Sequence, residues 1–186
     1  VYFPVDSYGF FPEVFAPAEE WDGMGTYTNF GLEEIKKAGC DLPCDVIPHG
    51  IDRESFFKID KAEARSMFDL DPEDFVVFNG NRNQPRKRID LTIKGFLQFA
   101  KDKPDAKLWL HMGRKDQGWD IVSLFKRVAR DHGVDPKDRL VLTANEFDVT
   151  KCLPMKQLNV AYNCADVGVN TCLGEGWGLV NFEQAA

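Results

Sequence analysis

The chain has 186 residues, 44% of them hydrophobic, and a formal net charge of −7. That length holds one full domain or parts of two, and the acidic balance argues against a general nucleic-acid binder, which usually carries a basic face. No apolar run reaches the length of a membrane span. The five cysteines (Cys40, Cys44, Cys152, Cys164 and Cys172) stand at no metal-site spacing, as expected of reduced thiols in a cytoplasmic protein. The sequence starts at Val1 without an initiator Met and stops at Ala186 inside a predicted helix, so we expect it to be a piece of a longer protein.

Val1 to Val5 reads as a short strand, and Phe10 to Ala18, with two prolines, as a loop or broken helix. A strand at 26–28 leads to Asn29, which is expected to cap a helix over 30–38 that Gly39 stops. A strand at 44–47 closes on Pro48. Residues 1–48 thus read as the tail of an α/β domain, and 49–60 as a crossing between domains. From 61 to 186 helices and strands alternate. Helices are predicted at 61–68, from Ile89 to Ala100, at 121–131 and at 155–164, with a last one entered near Leu179. Strands are predicted at 75–78, 107–112, 140–142 and 167–169, with a polar turn at 113–118. The run Phe75-Val76-Val77-Phe78 suits a parallel strand covered on both faces, and the 167–170 strand also looks buried. Strict alternation implies a doubly wound parallel sheet, whose ligands bind beyond the carboxyl ends of the strands.

Two loops lie at that edge. The first holds Arg82, Arg86, Lys87 and Arg88 within seven residues. Four cations in an acidic chain suit capture of a diphosphate, which Arg can grip through paired bonds and Lys as a point charge. The second runs Gly174-Glu175-Gly176-Trp177-Gly178-Leu179-Val180 into a helix. A glycine turn that opens a helix leaves N–H groups and the positive dipole end for phosphate. Glu175 and Glu183 are eight positions apart. That is about 800° of helix, which returns Glu183 to within about 80° of the turn. Carboxylates accept hydrogen bonds and sugar hydroxyls donate them, so this combination suits a sugar nucleotide. Glu183 sits in an apolar segment and needs a donor, from a ligand or from the protein. His49, His111 and His132 read as a crossing-loop residue, a strand-end residue and a solvent-facing helix stop.

Four stretches carry a resemblance to a known family. Val46-Ile47-Pro48-His49-Gly50-Ile51-Asp52, Gly80-Asn81-Arg82 through Lys87-Arg88-Ile89-Asp90-Leu91, Tyr162-Asn163-Cys164-Ala165-Asp166-Val167 and Glu175-Gly176-Trp177-Gly178-Leu179-Val180-Asn181-Phe182-Glu183 stand in that order. They resemble the motifs of the family 4 retaining glycosyltransferases, also called glycosyl transferases group 1. The resemblance implies a GT-B fold of two Rossmann-like domains. The end of the N-terminal acceptor domain and most of the C-terminal donor-binding domain would be present here. It implies that Gly80, Arg82 and Lys87 serve the donor diphosphate, with Arg82, Lys87 and Glu175 carrying the catalytic part. Glu175 and Gly176-Trp177 would meet the donor sugar, backbone N–H groups of Gly178, Leu179 and Val180 the phosphate, and Glu183 the ribose. A loop near Ala144, Asn145 and Glu146 would face the base. Arg88 departs from the family, which usually has Gly after the Lys.

The expected reaction moves a hexosyl group from a GDP- or UDP-sugar to a hydroxyl acceptor, a glycan or glycoconjugate, with retention. No resident cofactor is expected, and no metal, since no Asp-x-Asp pair stands at a strand end. The resemblance also carries peripheral membrane contact through sequence outside this chain. The alternatives are a sugar-nucleotide epimerase of the same architecture and a non-catalytic sugar-nucleotide-binding module. A nicotinamide-binding domain lacks its Gly-x-Gly-x-x-Gly after the first strand.

Overall fold

The computed structural model describes residues 1, 3, 5, 7–146 and 153–186, with the side chains of residues 19 and 144–146 outside the description. The chain groups into two units: residues 1–50 with 174–179, and 51–173 with 180–186.

In the first unit, β1 (Met24–Thr26) and β2 (Cys44–Val46) pair in parallel, with Met24 opposite Cys44. Between them runs α1 (Asn29–Lys37). The cap of α1 is Thr28 rather than Asn29: its hydroxyl accepts the Gly31 N–H at 3.0 Å while its backbone stays extended. β1 sits two residues earlier than the strand expected at 26–28. Val1 accepts from Gly25 N–H at 2.7 Å, and Phe3 donates to Gly25 carbonyl at 2.8 Å, so the chain start runs along β1. Pro12–Glu20 forms a 3-10 helix with Pro17 inside it, the broken helix expected there. Val5, Phe15, Ala18, Met24 and Ile35 close the core of this unit.

The second unit is one parallel sheet in the order β5-β4-β3-β6. Its strands are β3 (Phe75–Asn79), β4 (Ala106–Lys115), β5 (Leu140–Glu146) and β6 (Val167–Gly168). Successive side chains on a strand point to opposite faces. Val77, Leu108 and Leu110 accordingly join the core under α3 (Ile89–Phe99) and α4 (Ile121–His132). Val76, Phe78 and Trp109 join a second core with α2 (Lys61–Ser66) and α5 (Met155–Asn163). Both faces are covered, as a continuous apolar strand requires. Residues 51–60, read from sequence as a crossing, bring Phe56 into the second core. The helix α6 (Leu179–Ala185) follows β6.

Three expectations are corrected here. β4 runs on through 113–115, where a polar turn was expected, because after a register shift between Leu110 and Gly113 it keeps pairing with β5. β5 reaches Glu146 instead of stopping at Leu142, by that same ladder. β6 is short, and Val167 is 44% exposed, because it is the edge strand. His132 is half-buried at the end of α4, which Gly133 stops with a left-handed backbone (φ 67°). Among the described residues no helix is long and apolar enough to cross a membrane.

One ion network ties the amino ends of the sheet together. Arg65, 3% exposed, donates to the Cys164 carbonyl at 3.1 Å, to the Pro72 carbonyl, and to Asp166 at 2.6 Å. Asp166 also accepts Lys61 at 2.6 Å and the Val76 N–H at 2.8 Å. Burial pushes the Asp166 carboxyl up, but Lys61, the Val76 amide and Arg65 outweigh it and hold it below its ordinary 3.8. A depressed carboxylate stabilises the fold above its unfolded value, and that stability is lost as pH falls through the folded value. Asp166→Ala is expected to cost about 3 kcal/mol at neutral pH, because it strands a buried guanidinium. In urea melts, the difference from the unsubstituted chain should shrink as pH is taken below 3.8.

Candidate functional site

The carboxyl edge of the second unit is organised by buried amides. Asn79 ends β3 fully buried and donates to the Thr92 hydroxyl at 2.9 Å. Its oxygen accepts both the backbone and the side-chain N–H of Asn81, each at 3.0 Å. Asn81 donates on to Asn170 at 3.3 Å, beyond β6. Asn170 in turn accepts the Cys172 N–H at 3.0 Å. Thr171 bonds Thr92 at 2.8 Å and lies 2.9 Å from the carbonyls of both Lys87 and Arg88. Leu173 N–H reaches the Arg86 carbonyl at 3.0 Å. The cationic loop after β3 is thus stitched to the exit of β6.

Asn83, also fully buried, fastens the same loop to the end of β4. Its amide donates to the Trp119 carbonyl at 2.8 Å and accepts the Trp119 N–H at 3.0 Å. Gly118 N–H meets the Asn83 carbonyl at 3.0 Å, and a Cβ on Gly118 would run into Asn83. Composition does not single out Asn79, Asn81 or Asn83. Their alternate spacing past a buried strand was the available signal, since every second residue there still points inward.

The cations divide by partner. Arg82 donates Nε and Nη2 to Asp116 at 2.7 and 3.1 Å, a two-bond grip. That bond to Arg82 is the main cause holding the Asp116 carboxyl below its ordinary value. Lys87 is buried in the 3-10 turn Pro85–Lys87. Arg88 stands in the left-handed region (φ 48°, ψ 48°) and pairs with Asp90 at 3.0 and 2.9 Å. Glycine adopts that backbone without strain and arginine does not. The departure at Arg88 therefore keeps the turn geometry, and the ion pair on Asp90 offsets part of the strain. Asp120 caps α4, accepting the Ser123 N–H at 3.0 Å, which with further partners lowers its carboxyl to about 2.

Gly80 lies where a Cβ would stand 3.0 Å from the Phe78 ring and 3.2 Å from Val180, so its smallness brings α6 onto β3. Glu183 finds a protein donor: the Tyr162 hydroxyl, at 2.7 Å. Burial, reinforced by Glu183, pushes the Tyr162 phenol far above its ordinary range, so it remains the donor. His111 faces the Thr143 hydroxyl at 2.8 Å, and burial lowers its pKa, which favours the neutral ring. Asn145 and Glu146, expected on a loop, belong to β5, where Glu146 pairs with Lys115. Their side chains lie outside the described residues.

Glu175, Gly176, Trp177, Gly178 and Leu179 group with the first unit, whereas Gly80, Arg82, Lys87, Val180 and Glu183 belong to the second. Within the first unit the His49 ring lies 4.2 Å from that of Tyr27, tilted by 38°, and 6.0 Å from that of Trp177, edge to face. Gly178 has φ 82°, a backbone that side chains rarely adopt, immediately before α6.

This α/β arrangement with parallel sheets matches solved GT-B glycosyltransferases. Sucrose-phosphate synthase from Thermosynechococcus elongatus superposes with a TM-score of 0.68 at 20% identity, over 88% of this chain and 38% of that one. Anabaena HepE, solved in complex with UDP and glucose, gives 0.67 at 17% identity, over 94% and 46%. In sequence, the D-inositol 3-phosphate glycosyltransferase of Segniliparus rotundus is 30% identical over 142 residues, 76% of this chain. The chain spans 29% of the length of that relative. No protein-family model matches. The relatives and structural neighbours are thus glycosyltransferases of the group 1, GT-B type.

Replacing Asn83 with Ala would leave the Trp119 N–H and the carbonyls around it without their amide. We expect a loss of about 2 kcal/mol in urea unfolding, and faster hydrogen exchange at Gly118 and Trp119 than at β3.

Proposed function

We propose that the chain carries the donor-binding part of a family 4 retaining glycosyltransferase, which moves a hexosyl group from a UDP- or GDP-sugar to a hydroxyl acceptor. The observation that carries the reading is the cationic loop after β3, stitched by Thr171 to the exit of β6 at the carboxyl edge of a parallel sheet. Ligands of such sheets sit at that edge. The glycosyltransferase relatives agree with it.

In this reading Arg82 and Lys87, with the N–H groups of Gly178, Leu179 and Val180, take the diphosphate. Glu175 and Gly176-Trp177 hold the sugar, and Glu183 takes the ribose. Asn145 and Glu146 border the base. As the bond to the anomeric carbon lengthens, negative charge gathers on the leaving diphosphate. Fixed positive groups aimed there stabilise it more than the ground state. The Arg82–Asp116 bond holds the guanidinium plane before any ligand arrives, which removes part of its ordering cost. Those cations do the work a divalent ion would otherwise do, so we assign neither metal nor resident cofactor to the reaction. The protein is assigned to the cytoplasm, with any membrane contact made through sequence outside this chain.

Two measurements test this. In calorimetric titrations with UDP-, GDP- and ADP-sugars, one donor should bind, and Arg82→Ala should weaken it at least tenfold, as expected for loss of a charge-assisted bond. Silence toward all three would sink the reading. In transfer assays on the full-length protein, chelator should leave the rate unchanged and Glu175→Ala should abolish it. Transfer that persisted in Glu175→Ala would remove that residue from the site, and epimerisation of donor without acceptor would favour the epimerase reading.

A further inference from the structure

We infer that Tyr162 is a positioning residue for Glu183, and that it sets how strongly the site prefers a ribose over a deoxyribose. The inference rests on the proposed function, in which Glu183 receives the ribose, but it gives a role to Tyr162, to which the resemblance assigns none.

Three observations converge on it. The Tyr162 hydroxyl donates to Glu183 Oε2 at 2.7 Å, from a residue only 5% exposed. A phenol has one proton to give, and here it is spent on that oxygen. Among the described residues no other hydrogen bond reaches the Glu183 carboxylate. Oε1 and the second lone pair of Oε2 can therefore accept two neighbouring hydroxyls of a ligand, in an orientation that the tyrosine sets.

The ring itself is immobilised. Tyr162 meets Phe78 edge-on, with centroids 5.4 Å apart, and Phe56 at 5.8 Å. Gly80 admits it closely: a Cβ there would lie 3.5 Å from the tyrosine ring. Phe78 and Gly80 belong to β3 and the loop that carries Arg82. The carboxylate on α6 is thereby referenced to the strand that also places the diphosphate cations. α6 is only seven residues long, and its described residues include none that is buried, so its own packing fixes Glu183 weakly. The hydroxyl is the strongest tether Glu183 has.

The alternative is that the bond merely satisfies a half-buried carboxylate. The two differ in what Tyr162→Phe does, since phenylalanine keeps the packing and removes only the donor. The test is titration of the full chain with UDP, GDP and ADP, each against its 2′-deoxy counterpart. The unsubstituted chain should favour the ribonucleotide that it binds by about tenfold, the worth of hydrogen bonds to a charged group. Tyr162→Phe should bring that ratio to within about twofold of unity while the diphosphate contribution, read from Arg82→Ala, stays. Glu183→Asp, which shortens the ribose-binding carboxylate itself, should also collapse the ratio and reports on Glu183 alone. An undiminished ratio in folded Tyr162→Phe overturns the positioning role and leaves the donor site standing, whereas an undiminished ratio in Glu183→Asp removes the ribose role of Glu183 and this inference with it. A chain that binds none of the six nucleotides overturns the proposed function, and this inference with it.

Discussion

The structure depends most on how the second unit satisfies polar backbone at the carboxyl edge of a sheet buried on both faces. A covered parallel sheet has no solvent along its strands, so the chain must turn at its ends, where unpaired amides and carbonyls accumulate. Asn79, Asn81, Asn83, Asn170 and Thr171 supply those partners from within. Asn79, Asn81 and Asn83 are short and buried, so their positions are fixed by packing rather than by solvent. The cationic side chains of the same loop are carried by a backbone that these bonds fasten. The cost of ordering a loop fastened in this way is met during folding.

The β–α order and the faces of the main strands were legible because the physics is local. Val76, Val77 and Phe78 alternate between two cores, and the spacing of Ile89, Ile93, Phe96 and Leu97 already describes a helix face. What was not legible depends on partners distant in sequence. The extension of β4 through Lys115 and of β5 to Glu146 comes from a ladder between them, which polar residues join as readily as apolar ones. The exposure of Val167 comes from its place at the edge, a property of strand order that no run of residues encodes. The cap of α1 moved from Asn29 to Thr28 because two adjacent cap-forming residues are equivalent until the backbone chooses.

The wiring of the candidate site was not legible in the residue types that propose its chemistry. A glycine-rich turn, a basic loop and two spaced carboxylates indicate phosphate and hydroxyl chemistry from residue type alone. Asp116, which grips Arg82, is thirty-four residues away, and Tyr162 is twenty-one from Glu183. Neither pairing follows from spacing. Arg88 is instructive in the other direction. It stands where the family resemblance expects glycine, and the backbone there is left-handed. Asp90, two residues on, accepts Nε and Nη2 of the guanidinium through its two oxygens. A side chain unsuited to the turn is held there by a local ion pair, so the loop keeps its shape at the cost of some strain.

That compensation bears on what each cation contributes to charge stabilisation. A guanidinium committed to a neighbouring carboxylate presents a smaller net field than an isolated one, because the two charges nearly cancel at a distance. Arg88 with Asp90 and Arg82 with Asp116 are both such pairs. Arg82 is 39% exposed along its side chain, so much of its field is also screened by water. Lys87 is almost fully buried in the turn. Water screens a charge less there than at the exposed Arg82. The surroundings of the two side chains therefore differ. Arg82 and its carboxylate hold a planar fork in one orientation, while the Lys87 ammonium is enclosed by the turn that carries it.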